Sequence, residues 1–257
     1  MVLEATMIVI DNSEHMRNGD YFPTRFEAQL ETVDFIFHAK TDSNPESTVG
    51  LLAMAGQGPQ VLSTLTNDLG KIRAGIHETK IHGTSQLTTG IQVAALVLKH
   101  RENKSQQQRI IVFIGSPVNN TQRELEKLAK RMKKNNIAVD FICFGEESLD
   151  DPKLAKFIST VNNHDNSHIV SVPVGPTLLY DAVKTSPIIS DNANNYTMDG
   201  DDFLNFGDGA DPELELALRL SLEDERARQE RAAALAAAKN STPLEKVDEE
   251  SSTKDKK

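Results

Sequence analysis

Met7-Ile8-Val9-Ile10-Asp11-Asn12-Ser13-Glu14-His15 sets the frame for the whole chain. Four apolar residues in succession read as a short strand buried on both faces, as in a parallel sheet, and the polar run after them reads as the loop at its carboxyl end. Working outward, Phe22, Phe26, Leu30, Val33 and Phe37 recur at spacings of four and three and predict a helix with one stripe on the sheet, ending before Asn44-Pro45. Thr48–Ala55 and Gln60–Leu65 are strand-like runs joined by Gly56-Gln57-Gly58-Pro59, which predicts a hairpin and one antiparallel edge strand. Leu69, Ile72 and Ile76 mark a short helix, and Ile91, Ala94, Ala95 and Leu98 mark another core-facing one.

The alternation continues. Arg109–Ile114 and Ala138–Phe144 are apolar strands on either side of a helix whose inner face is Leu125, Leu128 and Met132 and whose outer face is rich in Lys and Arg. Leu154, Phe157, Ile158 and Val161 predict a helix, His168–Val172 a strand, and Leu178, Leu179, Ala182 and Val183 a last helix. The order β-α-β-β-α-α-β-α-β-α-β-α defines an α/β fold: a doubly wound, mainly parallel sheet with helices on both faces, over residues 1–190.

Beyond Ser190 the texture changes to Asn, Asp and Gly, which predicts an acidic flexible linker over 191–210. Asp211 then suits an N-cap, Pro212 the first helical position, and Asn240 and Pro243 a stop, so 211–239 reads as an isolated helix of about 40 Å. Residues 240–257 are rich in charge and hold no aromatic with which to build a core, which reads as a disordered tail.

Composition narrows the function. A net charge of -10 opposes a nucleic-acid backbone as partner, since phosphate binding runs on basic surface. No apolar run approaches the roughly 20 residues of a membrane span, and the single cysteine, Cys143, fits a reducing compartment. Cys143 lies inside an apolar strand and reads as a small buried hydrophobe. His77 and His82 lack a third ligand and read as loop residues, and no nucleophile elbow or phosphate loop is present, so no enzyme and no cofactor is expected.

Over residues 1–190 the sequence resembles the von Willebrand factor A domain. Metal-binding members present Asp-x-Ser-x-Ser after the first strand, a Thr from a later loop and an Asp after the fourth strand. Here Asp11 and Ser13 match, and Ser85 can take the Thr position. His15 replaces the second Ser, however, and Ser116 stands where the second carboxylate belongs. That leaves a degenerate site, Asp11, Ser13 and Ser85, and no metal is expected, because a hard divalent ion needs more charged oxygen. Asp11 is then a loop brace bonding backbone amides. Metal-free members of the family are often docking modules, which makes Asp11, Asn12 and Ser13 candidate docking residues.

The second resemblance is to the ubiquitin-interacting motif, carried by Asp211-Pro212-Glu213-Leu214-Glu215-Leu216-Ala217-Leu218-Arg219-Leu220-Ser221-Leu222-Glu223-Asp224. Leu214, Ala217, Leu218 and Ser221 fall at i, i+3, i+4 and i+7, on one helical face. Ala217 permits close approach, Leu214 and Leu218 grip beside it, Ser221 offers a hydroxyl, and Glu213, Glu215, Glu223 and Asp224 bracket the patch with charge. Leu216 and Leu220 extend the candidate contact stretch, although with Leu222 they turn from the central face. A packed or coiled-coil helix is the alternative, but no heptad continues past Leu222. The resemblance implies ubiquitin and polyubiquitin chains as partners, met by an apolar centre and a basic surround.

Together the two resemblances point to the ubiquitin-receptor family of the 26S proteasome regulatory particle, in its short fungal form. They imply a non-catalytic receptor whose amino-terminal domain docks between lid and base subunits, in cytoplasm and nucleus, without nucleic acid or membrane. The rivals are a metal-dependent adhesion domain, a scaffold of another nuclear complex with the helix merely structural, and an unrecognised hydrolase.

Overall fold

A computed structural model describes residues 3–145, 151–163, 165–175 and 177–190. The expected linker, helix and tail at 191–257, and with them the candidate ubiquitin-binding residues, lie outside the described residues.

Six strands form one sheet in the order β3-β2-β1-β4-β5-β6. They are β1 (Glu4–Ile10), β2 (Thr48–Ala53), β3 (Gln60–Thr66), β4 (Gln107–Ile114), β5 (Ile137–Phe144) and β6 (Ile169–Val172). Among the described strands only the β2–β3 pair is antiparallel, as the hairpin signal implies. Side chains along β1 alternate between two buried cores. Ala5, Met7 and Val9 face α3 (Leu87–Lys99), α4 (Gln122–Lys134) and α5 (Pro152–Val161), while Ile8 and Ile10 face α1 (Arg25–Ser43), α2 (Leu69–Glu78) and α6 (Leu179–Lys184). A 3₁₀ turn, Glu14–Arg17, and a short helix α7, Pro187–Ser190, complete the order. The doubly wound class and the element sequence predicted above therefore hold.

Three details differ. The first helix begins at Arg25, capped by the Thr24 hydroxyl, which accepts from the Glu27 amide, so Phe22 precedes it and is 80% exposed. The stripe that meets the sheet is Ala28, Thr32, Val33, Ile36 and Phe37, with Phe26 and Leu30 only half-buried at its margin. Next, His77 lies in the last turn of α2 rather than in a loop. Finally, β1 extends back through buried Thr6 and Glu4, where polar side chains hide a strand from hydropathy.

Candidate functional site

The carboxyl end of the sheet gathers the loop after β1, the loop leading into α3 and the turn after β4, the position where open α/β sheets place their sites. Asp11, Asn12 and Ser13 are all buried there. Asp11 is held from both sides: its amide donates to Gln29 Oε1 at 3.0 Å, and Gln29 Nε2 donates to its carbonyl at 3.0 Å. Gln29 projects from α1, so the helix fixes the loop's entry. One carboxylate oxygen of Asp11 accepts from the Ser13 amide at 2.9 Å, the brace expected of it, and the other accepts from the Ser116 hydroxyl at 2.6 Å.

Ser116 Oγ also lies 2.7 Å from Ser85 Oγ. A hydroxyl carries a single hydrogen. Because Asp11 takes the one on Ser116, Ser85 is the donor in the second contact, and the chain Ser85 to Ser116 to Asp11 runs in one direction. Gly115 lets the turn come close: a Cβ on it would lie 2.6 Å from Met16 Sδ and 2.9 Å from the Phe144 ring. Asn12 joins the remaining loops, its Oδ1 accepting from Ala55 N at 2.9 Å and its Nδ2 donating to Lys80 O at 3.0 Å.

This arrangement does not fit a divalent ion. The residues at the metal-site positions do converge, but both Asp11 oxygens are engaged by donors, and Ser116 supplies a hydrogen where a cation would need negative oxygen. His15 is exposed. Among the described residues no group of three or more His, Cys, Asp or Glu could hold a metal. Cys143 is fully buried, as expected.

The docking residues expected from the sequence need a correction. Buried Asp11, Asn12 and Ser13 cannot present their side chains to a partner, since their polar atoms are turned into the domain. What they hold outward is Glu14, His15, Arg17 and Asn18, which with Arg25 line a shallow cavity of about 360 Å³.

A second cluster at the same end had no signal in the sequence. Buried Arg25 makes a paired contact with Asp20, Nε to Oδ1 at 2.7 Å and Nη2 to Oδ2 at 2.6 Å, while Nη1 donates to Gly115 O at 2.7 Å. That guanidinium holds the Asp20 carboxyl below its ordinary range against the opposing effect of burial. Buried Tyr21 donates its hydroxyl to Val172 O at 2.6 Å and accepts from Gly145 N at 2.9 Å. The turn at Gly145 has φ +88°, and a Cβ there would strike the Arg25 guanidinium at 2.7 Å. These residues tie the 18–25 loop across the ends of β4, β5 and β6.

The amino end of the sheet carries a buried charge row instead. Glu4 accepts from Lys40 Nζ at 2.9 Å and from Arg109 Nε at 3.3 Å, and Arg109 Nη1 donates to Asp140 Oδ2 at 2.5 Å. Burial alone would raise the Glu4 pKa, yet Lys40 and Arg109 outweigh it and hold the carboxyl low. Burial likewise works against the Arg109 charge, and Asp140 and Glu4 overcome it, raising its pKa. Charged residues inside Arg109–Ile114 and Ala138–Phe144 were the available hint.

Fold and site together define a von Willebrand A domain in which hydrogen bonds among hydroxyls stand where related domains hold a metal. Residues 6–117 match the von Willebrand factor type A domain. The crystal structure of the SpRpn10 VWA domain superposes with a TM-score of 0.69 at 53% identity, covering 72% of this chain and 96% of that one. The 26S proteasome regulatory subunit RPN10 of Saccharomyces cerevisiae is 51% identical over 240 residues, 88% of this chain and 90% of its own length. Its Schizosaccharomyces pombe counterpart is 50% identical over 238 residues, 91% of this chain and 94% of its own. The chain belongs to the family of the 26S proteasome regulatory subunit RPN10.

Proposed function

We propose that this chain is a non-catalytic ubiquitin receptor of the 26S proteasome. The observation that carries the reading is the near-full-length identity of about half the residues with RPN10 subunits of two yeasts. Residues 1–190 dock on the regulatory particle between lid and base, in cytoplasm and nucleus. Asp11, Asn12 and Ser13 serve docking indirectly, by fixing the loop that turns Glu14, His15, Arg17 and Asn18 outward. The acidic linker 191–210 and the tail 240–257 flank the helix 211–239, whose residues from Glu213 to Asp224 engage ubiquitin through Leu214, Ala217, Leu218 and Ser221. One such face buries little area, so a single ubiquitin binds weakly and chains bind by raising local concentration. A weak tethered receptor releases its cargo, which suits a degradation machine. The Ser116 hydroxyl does have the Asp11 carboxylate beside it, but both are buried away from any substrate, which supports a non-catalytic role.

The test is a full-length chain with Ala217→Arg and Ser221→Arg, assayed for polyubiquitin pull-down, for particle association and for thermal unfolding of the domain. Capture falls by about tenfold or more, as expected for blocking the centre of a small interface, while particle association and the melting temperature hold. Unchanged capture removes the ubiquitin-receptor assignment.

A further inference from the structure

Phe22 is the most exposed large hydrophobic side chain among the described residues, at 80%. It is held out, because its neighbours are fixed: buried Tyr21 is bonded to Val172 O and Gly145 N, and Arg25 is bonded to Asp20 and Gly115 O. Beside it, Pro23 opens a groove of about 550 Å³ between α1 and α2, floored by half-buried Leu30 and Ile76. Three carboxylates, Glu27, Glu31 and Asp34, stand along the groove with one cation, Arg73. That cation is engaged, its Nη2 and Nε both donating to Asp34 Oδ2 at 2.9 and 3.1 Å. Glu27 and Glu31 therefore leave the rim with an uncompensated negative charge.

An exposed aromatic next to an apolar groove with an acidic rim marks an interface rather than ordinary surface. We propose that this groove, with Phe22 beside it, receives a protein segment that inserts apolar side chains and flanks them with Lys or Arg. Charge selects that occupant. A second copy of this chain would set the same carboxylates against each other, and an anionic membrane or nucleic acid would be repelled by them. The inference rests on the docking role proposed above and assigns part of that docking to the α1–α2 face.

The probe is the regulatory particle purified from cells deleted for the endogenous subunit, titrated with the labelled full-length chain at low and at physiological salt. Phe22→Ser weakens binding about tenfold, the loss typical of an aromatic anchor. Glu31→Lys weakens it at low salt and flattens its salt dependence. Both variants keep wild-type melting temperature and polyubiquitin capture. If wild-type chain binds and both variants bind equally well, the groove is wrong and the docking role stands. Wild-type chain that fails to bind overturns both. A dimer seen by sedimentation and lost in Phe22→Ser makes a second copy the occupant and overturns the basic partner.

Discussion

At opposite ends of the sheet, the row through Glu4 and the loop after β1 bury polar groups with opposite chemistry. At the amino end, Glu4, Lys40, Arg109 and Asp140 bury full charges in alternating sign. Beneath the outward loops of the carboxyl end, Asp11 is met by the Ser116 hydroxyl, itself backed by Ser85, and by the Ser13 amide, all neutral donors, and Asn12 and Gln29 complete the bracing with amides. The contrast teaches that buried polarity by itself does not mark a site. The charge row holds strands together. The hydroxyl network holds a surface loop in shape, so its contribution to function lies in what it supports.

The largest expected effect comes from breaking the charge row. Arg109→Met leaves Glu4 and Asp140 buried without their shared cation and costs about 3–5 kcal/mol, read from the urea midpoint of the full chain. Next, Ser116→Asp forces a second carboxylate beside Asp11. It destabilises by about 2 kcal/mol in chelator through like-charge repulsion, and millimolar Mg²⁺ restores part of that loss, whereas Mg²⁺ leaves the wild-type melting temperature unchanged. A variant indifferent to Mg²⁺ would show that more than one missing carboxylate separates this end from a metal site.

Acid acts on both ends, and more gently. Glu4 and Asp20 have folded pKa values below their unfolded ones, so the stability they lend is complete above pH of about 4.5 and is lost as pH falls through the lowered values. Glu4→Gln lowers the plateau and makes that acid limb shallower, measured as urea midpoints between pH 7 and 3. Smallest of all, Phe22→Ser shifts stability by no more than about 0.5 kcal/mol, since the side chain packs on little. A larger loss would mean that the ring stabilises the fold and would remove its claim to be a docking residue.

Period and punctuation made the fold legible. Apolar runs gave the strands, i, i+3, i+4 spacing gave α3, α4 and α5, and Gly56 to Pro59 gave the antiparallel edge. Phe22 misled because it keeps the helical spacing of Phe26 and Leu30, and only the Thr24 cap, with Pro23 before it, marks it as loop. The convergence of Asp11, Ser13, Ser85 and Ser116 was readable through a family resemblance alone, since 31 residues separate Ser85 from Ser116 and 105 separate Asp11 from Ser116. Burial of Asp11 to Ser13 was not readable at all. A polar tripeptide after a strand looks like surface until the Gln29 and Ala55 contacts are seen.

The place of β1 in the middle of the sheet governs how the chain is born. Its first neighbour, β2, follows within fifty residues, but the other edge waits for β4, beginning at Gln107. At a synthesis rate of roughly 5–20 residues per second, that edge stands open on the ribosome for on the order of ten seconds. When β4 arrives it can pair in the wrong register, and a slip by one residue would turn Arg109 away from Glu4 and into the apolar layer under α3 and α4. The Glu4–Arg109 pair thus favours the native register over the misaligned one.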